Sequence, residues 1–140
     1  MNIDMPINDI YLKYVLPSKA RVIVLFGGAD SGKSYFVGAQ YIPLAMMGKE
    51  YFRGLLVRKY ATSIRNSVFT EVVDGFNQVD EISGNFEPLT STYEVKYKYN
   101  GNKVLCSGLD KIPKLKSIKG LNFIWVEEAE EITEKEFDNL

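Results

Sequence analysis

The sequence predicts an α/β fold, a parallel sheet flanked by helices with a β-hairpin insertion near 85–107. Three observations carry that prediction. An apolar run, Arg21–Phe26 (RVIVLF), leads at once into Gly27–Ser34 (GGADSGKS) and then into a helix-like stretch. A second apolar run, Gly54–Lys59 (GLLVRK), closes a strand–helix–strand unit, which is right-handed and parallel. A third, Leu121–Val126 (LNFIWV), ends in two adjacent acids, Glu127 and Glu128.

The lead-in, residues 1–20, is mixed and holds Pro6 and Pro17. Asp9 can cap a short helix with Ile10, Tyr11, Tyr14 and Val15 on one side. Arg21–Phe26 then reads as a buried strand because it is rich in β-branched and large apolar residues. Gly27, four residues, Gly32, Lys33 and Ser34 have the spacing of a phosphate-binding loop, G-x-x-x-x-G-K-[ST]. Glycines let the backbone turn its N–H groups onto dense negative charge, and the following helix aims its positive end at the same place. Gly27, Gly28, Ala29, Asp30, Ser31, Gly32, Lys33 and Ser34 therefore form the candidate cradle for a triphosphate. In it Lys33 reaches the outer phosphates and the Ser34 hydroxyl ligates Mg²⁺. With that loop in view, Tyr11 or Tyr14 is placed either to stack on adenine or, more simply, to cover the edge of the core.

Lys33 to Met47 reads as the first helix, with Tyr35, Phe36, Ala39, Ile42 and Met46 at helical spacing. Pro43 is a misfit inside it and predicts a kink over Ala39–Ile42. Gly48 is the stop signal. Arg58 and Lys59 leave the second strand at its carboxyl end, where open α/β sheets bind ligands. Arg58 is thus a candidate contact for phosphate or substrate, or a strand-end charge in solvent. Thr62 or Ser63 starts a helix running to about Gln78, with Arg65 one turn in. YEVKYKY, then Asn100-Gly101, then NKVLCS, is the strongest short hairpin signal in the chain. Its tyrosines and lysines line an exposed sheet face or bind a polynucleotide. Lys111, Lys114, Lys116 and Lys119 make a basic loop with no acid among them. It is either solvated or a nucleic-acid contact. Two acids at the tip of Leu121–Val126 are expensive unless they lie in water or act. Beside a phosphate loop, Glu127 would hold the Mg²⁺ shell, through a metal-bound water, and Glu128 would polarise the attacking water. The competing reading is an acidic helix start, with Thr133 and Glu136 as a capping box.

Composition bounds these readings. The chain has 140 residues, 46% hydrophobic and 25% charged, with a formal net charge of -1. That is one ordinary domain with no global pull toward nucleic acid or membrane. Cys106 is the only cysteine and there is no histidine, which excludes an internal disulfide and His-based catalysis or metal ligation within these residues. No secretory signal and no membrane-length apolar run is seen, so a cytoplasmic location, in an infected or lysogenic host once the resemblance below is added, is the default.

GGADSGKS, then LLVRKYATSIRNSVF, then IKG ahead of NFIWVEEAEEI, resembles the ATPase half of a large terminase subunit, the DNA-packaging motor of tailed phages. The resemblance covers Val22 to about Ile132. It implies a P-loop NTPase fold of the RecA-like kind with an additional strand between the two nucleotide motifs, and ATP-driven movement of double-stranded DNA into a procapsid. It implies ATP and Mg²⁺ as cofactors. Its partners would be a portal protein and a small terminase subunit, and the complete protein would be a homo-oligomer. Lys33 and Ser34 match the family's nucleotide-binding positions, and Glu127 and Glu128 match its acidic pair. Two departures matter. Family members often carry Arg and Gly where this chain has Ala29 and Asp30, so a loop arginine is missing and Arg58 or Arg65 would have to supply that cation. Asp30 also sets a negative charge beside phosphate.

Family members are several times longer and continue into a coupling motif and a nuclease domain. The expectation is therefore a fragment, with residues 21–140 forming an ATPase domain cut short after the strand that carries the acidic pair. Its sheet would be incomplete at the C-terminus. A GTPase is disfavoured because Asn102-Lys103-Val104-Leu105 lacks the acid of a base-reading motif. A small-molecule kinase would lack the paired glutamate, and a helicase of similar core stays open. The alternative from another class is a non-catalytic nucleotide-binding or assembly module.

Overall fold

The computed structural model describes residues 4–111 and 118–140. Five strands form one sheet: β1 (Arg53–Arg58), β2 (Phe86–Leu89), β3 (Glu94–Tyr97), β4 (Lys103–Gly108) and β5 (Phe123–Val126), in the order β2-β3-β4-β1-β5. β1 runs parallel to β4 and to β5, while β3 is antiparallel to both β2 and β4. The sheet is therefore mixed rather than parallel throughout. The hairpin signal at Asn100-Gly101 is borne out: β3 and β4 pair across it, with Val95 opposite Val104, and Gly101 takes φ 74. That hairpin is not a separate insertion, because β4 continues the parallel part of the sheet. β2 closes the outer edge and carries Pro88, which lacks the N–H that an exposed edge would offer to another chain.

One stretch departs from the expectation. Arg21–Phe26 belongs to no strand, and Val22, Val24 and Phe26 are 65%, 76% and 92% exposed. The expected fold, with this run buried inside the sheet, is corrected on that point. A strand needs a neighbouring ladder on at least one side, and none of the described strands pairs with this run. β5 is hydrogen-bonded to β1 alone and forms the other edge of the sheet.

The helices pack on one face. A π-helical stretch, Tyr35–Tyr41, runs directly into α1 (Ile42–Gly48). Pro43 explains the change of pitch. It has no N–H to donate, so the wide turns end at the residue before it, where the Ile42 N–H still reaches Val37 O. α2 (Val68–Asn77) and α3 (Asp80–Ser83) follow. The helix expected from Thr62 instead begins at Val68. Before it, Ala61–Ser63 is a 3₁₀ turn, held where the Ala61 N–H donates to Asp110 Oδ1 at 3.0 Å. Gly75 of α2 lies against the backbone of Ala39, where a Cβ would sit 2.3 Å from Ala39 Cα. The two helices can approach this closely only because a glycine stands there.

Alternation along the strands divides the core. Leu56, Val104 and Cys106 face the helices, with Ile42, Met46, Val68, Val72, Phe76 and Ile82. Leu55 and Val57 face the other way and meet only Leu109 and partly buried residues such as Ile118, Leu121 and Ile132. Asn102, in the hairpin turn, ties the two layers together. It accepts from the Phe52 N–H at 2.7 Å and donates to Met46 O and Lys49 O at the end of α1. The hairpin's lysines and tyrosines are similarly engaged: Lys103 pairs with Glu94, Lys98 donates to Gly84 O, and Tyr97 packs on Phe86. Tyr99, tilted against Tyr97, is the most exposed of these aromatics. Lys114 and Lys116 of the basic stretch lie outside the described residues; Lys111 and Lys119 are exposed.

Candidate functional site

The glycine-rich loop and the acidic pair meet. The Ser34 hydroxyl donates to Glu127 Oε1 at 2.5 Å, across 93 residues of sequence. Ser34 opens the helix after the loop. Glu127 follows β5, its N–H still on the sheet ladder through Val57 O at 2.9 Å. Within the loop, Gly27 takes φ 152 and Gly32 φ 77, both left-handed conformations that favour glycine. Lys33 folds back over the loop, donating from Nζ to Gly27 O, Gly28 O and Ser31 Oγ at 2.8, 2.9 and 2.9 Å. Ala29 and Asp30 form the exposed turn at the tip.

Glu128 leaves the strand rather than extending it. Its φ of 54 and ψ of 52 put it in the left-handed region, and Ala129–Glu131 continues as a 3₁₀ turn. Side-chain alternation along a continued strand would send Glu127 and Glu128 to opposite faces; a sharp turn of the chain stands in its place. A glutamate in that conformation is uncommon and costs of the order of 1 kcal/mol or more. Contact with the Glu130 carboxyl, then desolvation and the Glu130 and Glu127 charges, hold the Glu128 carboxyl above its usual range; nearby Arg58 opposes them. The turn ends in a short helix, α4 (Glu134–Phe137), whose capping box of Thr133 and Glu136 is present as the sequence predicts.

Arg58 and Lys59 reach the same rim and grip this turn. Arg58 Nη2 pairs with Glu131 at 3.3 Å, and Lys59 Nζ donates to Glu131 O at 2.8 Å. Arg65, the other cation considered, is exposed. Sequence reasoning missed Glu71 of α2. Its side chain packs over Gly38, beside Trp125; burial, then the charges of Glu127 and Asp74, raise its pKa. Nothing local in sequence marks it, because its neighbourhood is made by three separate elements. Cys106 is no rival centre, since burial pushes its thiol up to about 12.

The donors suit magnesium: a hydroxyl and a carboxylate are hard oxygen ligands, and a P-loop site draws its remaining ligands from phosphate and water. Among the described residues no group of three or more His, Cys, Asp or Glu stands ready to hold a metal. No helix among the described residues is long and apolar enough to cross a membrane.

Comparison with known proteins agrees with the resemblance drawn from the motifs. The family model "Phage terminase large subunit" matches residues 19–140. The "PBSX phage terminase large subunit" of Bacillus subtilis (strain 168) is 28% identical over 137 residues, covering 96% of this chain and 30% of that protein. The "Terminase, large subunit" of Bacillus phage SPP1 is 29% identical over 130 residues, covering 90% of this chain and 28% of that protein. The sequence thus spans about 30% of the length of these curated relatives. It belongs to the phage terminase large subunit family.

Proposed function

We propose that residues 21–140 are the ATP-binding part of a RecA-like terminase motor domain, with 1–20 as a lead-in. Within a whole large subunit they would help drive double-stranded DNA into a procapsid, alongside a portal protein and a small subunit. The observation that carries this reading is the Ser34–Glu127 hydrogen bond, which joins the phosphate loop to the acidic pair. Gly27 to Ser34 would wrap the triphosphate, and Lys33 would exchange its loop carbonyls for phosphate oxygens. Ser34 would hold Mg²⁺ directly and Glu127 through a water; the ion, when bound, neutralises phosphate charge. Glu128 would orient the attacking water by hydrogen bond. Arg58 would lend positive charge at the rim.

Calorimetry of Mg·ATP on the chain and on Lys33→Ala tests the binding step. The expected loss is roughly 2–4 kcal/mol, the order for removing a charged partner of an ion. Unchanged affinity would remove Lys33 from the site. In a full-length version, Glu128→Gln should cut ATP turnover by ~10²–10⁴ while leaving binding near normal. Glu127→Gln should weaken Mg²⁺ dependence and binding together. Parent-rate hydrolysis by Glu128→Gln would assign the water to another group.

A non-catalytic nucleotide-binding or assembly module is the second reading, and the exposed Val22–Phe26 run favours it. ATP turnover measured with and without DNA separates the two.

A further inference from the structure

The segment ahead of the loop does not merely cover the core edge, and the Tyr11 ring is already taken up in packing. Tyr11 is 7% exposed, and its ring stacks on Phe36 with centroids 4.0 Å apart and planes 9° from parallel. Tyr14, in contrast, is 63% exposed. The Tyr11 hydroxyl donates to Ser31 O at 3.3 Å. A second tether lies one helical turn further on, where Gln40 Nε2 donates to Pro6 O at 2.7 Å. The lead-in is therefore fastened to the helix that follows the phosphate loop, and from that helix it reaches one peptide of the loop itself.

That peptide is the one whose direction matters. Ser31 accepts from Lys33 Nζ at its hydroxyl and from Tyr11 at its carbonyl, and its own N–H donates to Gly28 O at 3.2 Å. In a trans peptide the C=O and the following N–H point in opposite directions. Holding Ser31 O toward Tyr11 therefore fixes the Gly32 N–H on the side away from it. Gly32 has φ 77 and no Cβ, so the peptide can rotate through conformations that other residues forbid. A phosphate loop works by aiming such N–H groups at an anion.

We infer that Tyr11 is a positioning residue of the phosphate loop: anchored on Phe36, it sets the Ser31–Gly32 peptide so that the Gly32 N–H faces a bound polyphosphate. The inference rests on the nucleotide-binding reading of Gly27–Ser34 and adds a residue of the lead-in to it.

Tyr11→Phe keeps the stack and deletes only the hydroxyl. Calorimetry with Mg·ATP, Mg·GTP and inorganic tripolyphosphate, on the parent chain and on Tyr11→Phe, should give one common loss for all three. That loss should be about twofold to tenfold, the order of one neutral hydrogen bond. Amide hydrogen exchange over Gly28–Gly32 without nucleotide should quicken in Tyr11→Phe, with the urea midpoint unchanged. A loss confined to ATP would make Tyr11 a base-reading residue and overturn the inference. So would unchanged exchange across the loop. If the parent binds none of the three ligands while the exchange difference is present, the nucleotide reading fails and the loop anchor stands.

Discussion

Two short apolar runs, Val22–Phe26 and Leu55–Val57, look alike as sequence and have opposite fates. Leu55, Leu56 and Val57 are buried, whereas Val22, Val24 and Phe26 are exposed. Composition does not separate them. Neighbours do: β1 has a parallel partner on each side, β4 and β5, and both its faces meet other side chains. Val22–Phe26 has no ladder among the described strands. An apolar run is a candidate strand, and the rest of the sheet decides whether it becomes one.

The sharpest way to break that contrast is to truncate one residue in each run. Leu56→Ala removes a fully buried side chain between the helices and the sheet. It should cost about 2–5 kcal/mol. Val24→Ala should change stability by no more than about 0.5 kcal/mol, as exposed substitutions do. Urea midpoints on the two variants are the measurement. A Val24→Ala cost near that of Leu56→Ala would mean that Val22–Phe26 spends its time packed, not exposed.

A smaller effect tests whether the packed layer is as tight as its glycines imply. At Gly75 an added Cβ would fall 2.3 Å from Ala39 Cα, which is backbone and cannot swing aside. Gly75→Ala should therefore cost about 1–3 kcal/mol despite the better helix propensity of alanine. At Gly48, at the end of α1, an added Cβ would have nothing within 4 Å. There Gly48→Ala should be neutral or stabilising by up to about 1 kcal/mol. Equal effects at the two sites, read from thermal unfolding, would show that the helix pair slides apart easily.

Much of this was legible because it is local. The loop spacing, the Asn100-Gly101 hairpin, the Thr133–Glu136 capping box and the misfit of Pro43 each depend on a few adjacent residues. The Ser34–Glu127 contact was legible for another reason: two motifs of one kind of chemistry imply each other. The fate of Arg21–Phe26 was not, because a strand's partners lie elsewhere in the chain. The same holds for the Glu131 clasp on Arg58 and for Glu71, whose surroundings come from α2, the helix after the loop and β5. Glu128 was half legible. Its acidity beside Glu127 marks it, but the left-handed turn that re-aims it does not follow from alternation.

The smallest effect concerns Glu71, the acid set inside the packed layer. Its Cβ and Cγ lean over Gly38 beside Trp125, and burial, Glu127 and Asp74 all raise its pKa. An acid whose folded pKa is raised binds more protons in the native state than in the unfolded one. The native state is then favoured while Glu71 is protonated. Stability must fall as pH rises from the ordinary glutamate value through Glu71's own raised value, and the loss is complete above it. Glu71→Gln removes that titration and most of the repulsion from Glu127. As pH rises above the ordinary glutamate value the parent's urea midpoint should therefore decline relative to that of Glu71→Gln, with the variant the more stable of the two once Glu71 is ionised. Glu127→Gln should relieve part of the same penalty, since its charge is the second cause of the shift. If the parent and Glu71→Gln follow one pH profile, Glu71 is solvated in the folded chain, and the packed layer ends short of the glycine-rich loop.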